Sequence, residues 1–337
     1  MAERKRGSEI IEKIEPPMDR RAFLRRVAGL SGVAVGLASG GYLAFSDRPV
    51  REPEVKPLRF KDFRVPPDAL HPVMAVARGQ RVEAMARAAI DKLGGVNRFI
   101  QKGDRVLLKP NVGWDRQPEQ AANTGPELVE AMVRICREAG AKSVWVTDVS
   151  LNDPKRCFAR SGIEAATLNA GGNVRLPGRE DFLATDMGGK VLKVWPVARF
   201  FHEVDKVINL PIVKHHSLSG CTLAMKNWYG VIGGQRNRLH QAIHDSIVDL
   251  AAAVRPTLTV MDATRVLKRN GPTGGNPADV VREETLIASL DEVALDSFCL
   301  GFLDLTPEAV PFLAMAQARG LGQVSWRELN VAQFQVG

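Results

Sequence analysis

The chain has 337 residues, with 46 Lys and Arg against 38 Asp and Glu, for a formal net charge of +8. That length holds one large α/β domain or two ordinary ones, and 45% hydrophobic with 25% charged residues excludes global disorder. Aromatic rings are sparse and the positive charge is mild and dispersed, which favours small anionic ligands over a nucleic-acid footprint.

Residues 18–26 read Met-Asp-Arg-Arg-Ala-Phe-Leu-Arg-Arg and precede an apolar run, Val27 to Phe45, diluted by five glycines. A charged stretch ahead of an apolar one is the layout of a signal peptide. The plainer alternative is a single membrane helix, for which about nineteen residues is near the minimum. Arg20-Arg21, followed by Phe23 and Leu24, resembles the twin-arginine export signal. That resemblance implies the twin-arginine export machinery as a partner and passage in the folded state. It also implies a location in the periplasm or on the outer face of the cytoplasmic membrane, and it favours a cofactor or metal inserted beforehand. No Ala-x-Ala site follows, so residues 27–45 are expected to remain as a membrane tether. Residues 1–47 thus read as signal or anchor, and the proline-dotted stretch 48–68 reads as an extended linker. Residues 69–337 read as a single α/β domain.

In chain order, Arg81 to Leu93 has apolar residues at helical spacing and ends at Gly94-Gly95. Arg105 to Lys109 reads as a buried strand. Thr124 is placed to cap a helix from Pro126 to Ala139. Lys142 to Asp148 reads as a strand, and 151–200 as irregular. Asp205 to Val213 reads as one strand running into Lys214-His215-His216, and Leu239 to Val254 as a helix. Thr257–Asp262 and Thr285–Ser289 read as strands, and Glu292–Phe302 and Pro307–Arg319 as helices. Strands alternating with helices imply an α/β fold, a mostly parallel sheet covered by helices.

Several strands end in polar residues: Lys109 and Asn111, Asp148, Lys214 to His216, and Asp262. Ligands of open α/β sheets bind beyond the carboxyl ends of strands, so these side chains should converge on one rim. A strand-end Asp can equally cap a helix or hold a turn. The segment Lys214 to Gly230 concentrates two His and two Lys, which are costly to bury unpaired. His216 suits acid–base work, and Lys226 beside Met225 and Trp228 suits a lowered pKa or a covalent link. Gly230 to Gly234 followed by Arg236 and Arg238 can cradle an anion. His240 and His244, four apart on the expected helix, could chelate a metal, although Gln241 stands where a zinc protease has Glu. His71 and His202 read as structural. Asn270 to Pro277 is either a ligand lid or a plain connection. Cys136, Cys157, Cys221 and Cys299 lie far apart with no CxxC, so no iron–sulfur cluster is expected, and no spacing suggests a pairing.

Taken together, Lys109 to Gly113, Asn123 to Pro126, Val146 to Asp148, Ile208 to Pro211, Lys214 to His216, Thr222, Met225 to Gly230, Asp262 to Arg265 and Asn270 to Pro272 resemble the bacterial family called domain of unknown function 362. The likeness covers about residues 70–325 and implies no settled activity. More distantly, the order His216, Gly220, Lys226, His240 is similar to that of the nickel-dependent lactate racemase family. That likeness implies His216 as a proton-transfer base, Lys226 as anchor of a nickel-pincer-like nucleotide and His240 as the metal ligand. Lys109-Pro110-Asn111 stands in place of that family's phosphate loop, and no second catalytic His lies near Asp148. One reading is an exported enzyme with a metal- or nucleotide-type cofactor, carrying out proton or hydride transfer on a small anionic substrate. In it His216, Lys226 and Asp148 are catalytic, and Lys109, Asn111, Thr124, Lys214, His215, Thr222, Asn227, Arg236 and Asp262 bind ligand or cofactor. The other is a periplasmic protein that captures an anionic small molecule without turnover.

Overall fold

The computed structural model describes residues 21, 56–66 and 68–337. The twin-arginine motif apart from Arg21, the apolar run and the first half of the expected linker lie outside them. The molecule divides into a unit spanning Met1–Lys56 and a unit spanning Pro57–Gly337, and the second is described here. No helix among the described residues is long and apolar enough to cross a membrane. Residues 57–66, within the stretch expected to be a linker, run against this unit. Leu58 bridges to Thr185, Phe63 is buried, and Phe60 stacks on His202.

Strand β1 (Met74–Arg78) leads to α1 (Val82–Lys92), β2 (Arg105–Pro110) and α2 (Pro126–Glu138). Then come β3 (Ser143–Val146), α3 (Pro154–Arg160), α4 (Ile163–Asn169) and the short β4 (Asn173–Val174). A hairpin of β5 (Phe182–Asp186) and β6 (Val194–Ala198) forms a separate small sheet. β7 (Lys206–Leu210), β8 (Ile212–His216), β9 (Gly220–Thr222) and α5 (Ala224–Asn227) follow. The chain continues through α6 (Ile243–Ala253), β10 (Leu258–Leu267), β11 (Val280–Ser289), α7 (Glu292–Cys299), α8 (Pro311–Ala318) and β12 (Val331–Gln335).

The main sheet has the order β12-β1-β11-β10-β7-β2-β3-β4, with β8 alongside β10 and β9 on β8. Pairing is parallel except for β1 with β11, β10 with β11, and β8 with β9. This is the mixed, mostly parallel α/β sheet expected. Alternate side chains enter two cores. Ala75, Val106, Leu108 and Ile208 meet α1 and α2 on one face, while Met74, Leu107, Val207 and Met261 meet α5 to α8 on the other.

Several expected elements differ. The single strand 205–213 is two, because Pro211 has no N–H for the ladder; β7 pairs β2 and β10, and β8 then continues along β10. The span 151–200 holds two helices and a hairpin. The helix expected from Leu239 starts only at Ile243, and Arg236–Ala242 is 3-10. The four cysteines are free and buried.

Candidate active site: a buried lysine cluster at the sheet rim

Lys109 leaves the end of β2, and Asp148 lies just past the end of the neighbouring β3. Their parallel register brings Lys109 Nζ to 2.7 Å from Asp148 Oδ1, both side chains fully buried. Desolvating two ions is costly and is offset only where every remaining lone pair and proton is used. Here they are used. Lys109 also donates to the Pro110 carbonyl and to Asn227 Oδ1, each at 3.0 Å. Asp148 accepts from the backbone N–H of Val112 at 2.6 Å and of Val149 at 3.1 Å. Burial nevertheless pushes the Lys109 ammonium below its ordinary range, with Asp148 opposing. Gly230 packs over this pair, where a Cβ would sit 1.7 Å from Asp148 Oδ1.

Lys214, on β8, donates to Asn111 Oδ1 at 2.8 Å and to the Ala122 carbonyl. Burial brings it down to about 7; Asp148 opposes, and Lys226 and Lys109 add to the fall. Asn227 ties the floor together. Its Oδ1 receives Lys109 and the Asn111 amide, and its Nδ2 donates to Asn209 Oδ1 at 2.8 Å. Asn209 donates in turn to Glu292 at 2.7 Å, which also receives Trp228 Nε1 at 2.8 Å. Asp296 accepts the Ala224 and Met225 N–H groups, so α7 fixes the short helix that carries Lys226.

Lys226 differs from its two neighbours. It is 6% exposed, and among the described residues no acceptor or carboxylate stands on its amine. Its one close partner is the Tyr229 ring, whose centre is 4.5 Å from Nζ. Burial lowers this ammonium to about 8, with the nearby Cys221 thiol opposing. Thr222, on β9, is 4% exposed and its hydroxyl has no partner.

His216 closes the hairpin of β8 and β9. Its Nδ1 accepts from the N–H groups of Leu218 at 3.1 Å and Ser219 at 3.4 Å. That assigns the ring hydrogen to Nε2. Burial first, then Lys226 and Lys214, hold the imidazole down to about 3. With Nδ1 taken by these two N–H groups, Nε2–H is the ring atom left to face the cavity, as a donor.

A cavity of about 370 Å³ opens over this floor. Lys109, Asn111, Asp148, Lys214, His216, Thr222, Lys226, Asn227, Arg236 and His240 all line it. The strand ends at Lys109 and Asn111, at Asp148 and at Lys214 and His216 thus meet at one cavity, and the Asp262 end does not. Three expected binders stand outside the lining. Asp262 accepts from Gly125 N–H at 2.7 Å and from Thr264, so it secures the start of α2. Thr124 is not that helix's cap, which is Gly125; its hydroxyl joins Asn111 N–H to the Leu210 carbonyl. His215 takes the Gly271 N–H on Nδ1, anchoring the loop whose Pro272 does reach the cavity. Arg236 lines the wall, but its guanidinium is spent on the Val149, Ser150 and Tyr229 carbonyls.

The sequence reading passed over Tyr229, Trp114, Leu151 and Leu218 as lining residues and Glu292 and Asp296 as supports. The two acids sit four apart on a helix whose other residues, Ser297 apart, are apolar, which is a usable signal for an inward-facing pair.

A metal centre built by the chain does not fit. Among the described residues, no group of three or more His, Cys, Asp or Glu side chains could hold an ion. His240, the expected ligand, is exposed and stacks over Tyr229, whereas His244 stacks on Phe312. They do not share one helical face, because the α-helix begins between them. Three lysines around the floor also repel a bare cation.

A mostly parallel α/β sheet with a cationic cavity at its carboxyl rim is the class these observations define. The chain belongs to the family described as domain of unknown function (DUF362), whose model matches residues 106–301. It is 30% identical over 246 residues to a thylakoid-associated protein of Synechocystis, covering 71% of this chain and 75% of that one. Among solved structures it is similar to a Thermotoga maritima protein at 11% identity and TM-score 0.36, covering 72% of this chain and 60% of that one. It is also similar to the lactate racemase apoprotein of Thermoanaerobacterium thermosaccharolyticum at 11% identity and TM-score 0.38, covering 71% and 60%. At such TM-scores neither likeness bears on activity.

Proposed function

We propose that this protein is an enzyme that binds a small organic anion at the rim cavity and moves a proton on it with the amine of Lys226. The observation that carries the reading is this amine, almost fully buried yet facing the cavity with no hydrogen-bond acceptor of its own. A group poised near pH 8 is available in neutral form to take the proton, and the ammonium so formed then pairs with the negative charge that develops on the substrate. Lys214, held in place by Asn111 and Ala122, presents a fixed N–H donor beside the cavity. His216 Nε2–H and the Thr222 hydroxyl are free to donate to substrate oxygens. The reaction class is abstraction of a proton from the carbon next to a substrate carbonyl or carboxylate. The developing negative charge falls among donors already in position.

The test is carbon–hydrogen exchange in deuterated water with a panel of 2-oxo and 2-hydroxy acids, followed by proton NMR. Wild-type protein should wash out the C3–H signal of a 2-oxo acid or the C2–H signal of a 2-hydroxy acid for at least one member, and Lys226→Met should not. Binding without exchange across the panel would favour the second reading, an anion-capture protein. One observation favours that alternative: with His216 locked as a donor and Lys214 tied to Asn111 and Ala122, Lys226 is left without a second base among the described residues to return the proton from the opposite face.

The twin-arginine resemblance at Arg20-Arg21 supports export in the folded state and residence at the outer face of the cytoplasmic membrane, with residues 27–45 as tether. The relative described as thylakoid-associated accords with a membrane-associated site of action. Fractionation of the host tests this, and Arg20→Lys with Arg21→Lys should leave the protein inside.

A further inference from the structure

We infer that the substrate is an amphiphilic anion, with its charged head on the lysine floor and an apolar body lying across the cavity mouth. This rests on the anion reading above and names the class of anion. Its ground is the contrast between floor and rim. The floor carries Lys109, paired with Asp148, and Lys214 and Lys226, of which Lys214 donates to Asn111 and Ala122 while Lys226, among the described residues, has no hydrogen-bond acceptor. Beside the exposed polar Ser217, Asn237 and His240, the rim carries an apolar part: Leu151 and Leu218 line the cavity and are each 58% exposed. The indole of Trp114, half-buried, and Pro272 complete it.

Exposed leucines alone mean little, because much of any protein surface is apolar. Their placement is what argues. Leu151 follows β3 and Leu218 tips the β8–β9 hairpin, on separate loops that both reach one cavity. The hairpin tip is also built to present its leucine. His216 Nδ1 receives the N–H groups of Leu218 and Ser219, so the ring that faces the floor also fixes the turn at the rim. Leu151 is held likewise, its N–H donating to the Gly113 carbonyl at 3.0 Å. Rigid, exposed apolar side chains around a charged floor recover their hydration cost when a hydrocarbon covers them. A purely polar substrate such as a short hydroxy acid would leave them wet.

The experiment uses straight-chain monocarboxylates from acetate to octanoate, with affinities measured by calorimetry on the full-length chain. Wild type should bind more tightly with each added methylene, by roughly two- to fourfold while the chain still contacts the rim. The double variant Leu151→Ser with Leu218→Ser changes exposed side chains. It should flatten that series while leaving acetate affinity within about twofold. Alkyltrimethylammonium ions of the same lengths should not bind. A series that is flat in wild type, or equally steep in the double variant, overturns the amphiphile inference. The anion site still stands in that case if Lys226→Met weakens acetate binding. If the cationic-headed chains bind as well as the carboxylates, the anion reading itself falls.

Discussion

Gly230→Ala tests the buried ion pair with one methyl group. A Cβ there would lie 1.7 Å from Asp148 Oδ1 and 2.4 Å from Lys109 Nζ, far inside contact distance. Neither partner can step aside cheaply. Asp148 is pinned by two backbone N–H groups, and Lys109 by Pro110 and Asn227. Moving the carboxylate strands an ammonium in the core. The expected loss is that of a broken buried pair, about 3–5 kcal/mol, rather than the ~1–3 kcal/mol of simple overpacking. In urea, at a slope of about 3 kcal/mol per molar, the midpoint should fall by about 1–1.7 M. Tryptophan fluorescence reads the transition. Gly301→Ala, where a Cβ would meet nothing within 4 Å, is the control and should leave the midpoint in place. A Gly230→Ala midpoint within about 0.3 M of wild type, at unchanged slope, would refute the geometry of the floor.

Three other outcomes follow from the same residues. Lys226→Met removes an unpaired buried charge and keeps the volume, so it should raise the unfolding midpoint slightly or leave it unchanged while abolishing carboxylate binding; a large destabilisation would mean that the amine has a structural partner. Lys109→Met and Asp148→Asn should each cost about 3–5 kcal/mol, and the double variant much less than their sum, because each single change leaves its partner unpaired; additive losses in a denaturation cycle would deny the pair. The buried lysines also set a pH dependence. Lys214 and Lys226 lose their protons near pH 7 and 8 in the folded protein, against 10.5 when unperturbed. Between those values the unfolded chain holds more protons, so stability should rise as pH is raised from about 7 toward 10 and fall as it is lowered. Carboxylate affinity should move the opposite way, weakening as pH rises through 7 to 8; parallel changes would contradict the assignment.

The alternation of strands and helices was legible in the residues, because each apolar run is punctuated by Gly, Pro or polar turns. So was the rim. Parallel strands send their carboxyl ends to one side, and Lys109, Asp148 and Lys214 follow from that rule, whereas Lys226 stood out by its apolar neighbours and lies on a short helix. What was not legible depends on contacts distant in sequence. β1 is completed by β12 from the other end of the chain, and neither strand stands out by periodicity. Asp262 reads like a site carboxylate, yet the N–H it accepts comes from Gly125, 137 residues away. His216 shows the limit most clearly. An imidazole beside two lysines suggests a base, and only the turn that folds its own N–H groups back onto Nδ1 makes it a donor. His240 and His244 misled for a local reason: four residues mean one face only inside an α-helix, and the α-helix starts too late.

The central claim is that the amine of Lys226 is buried, unpaired and half-neutral near pH 8. Reductive methylation with carbon-13 formaldehyde, followed by NMR titration with Lys226→Met to assign the resonance, measures it directly. The account predicts a titration midpoint of about 8 that moves upward when a carboxylate is bound. A midpoint at the ordinary lysine value of 10.5, insensitive to added carboxylate, would contradict it.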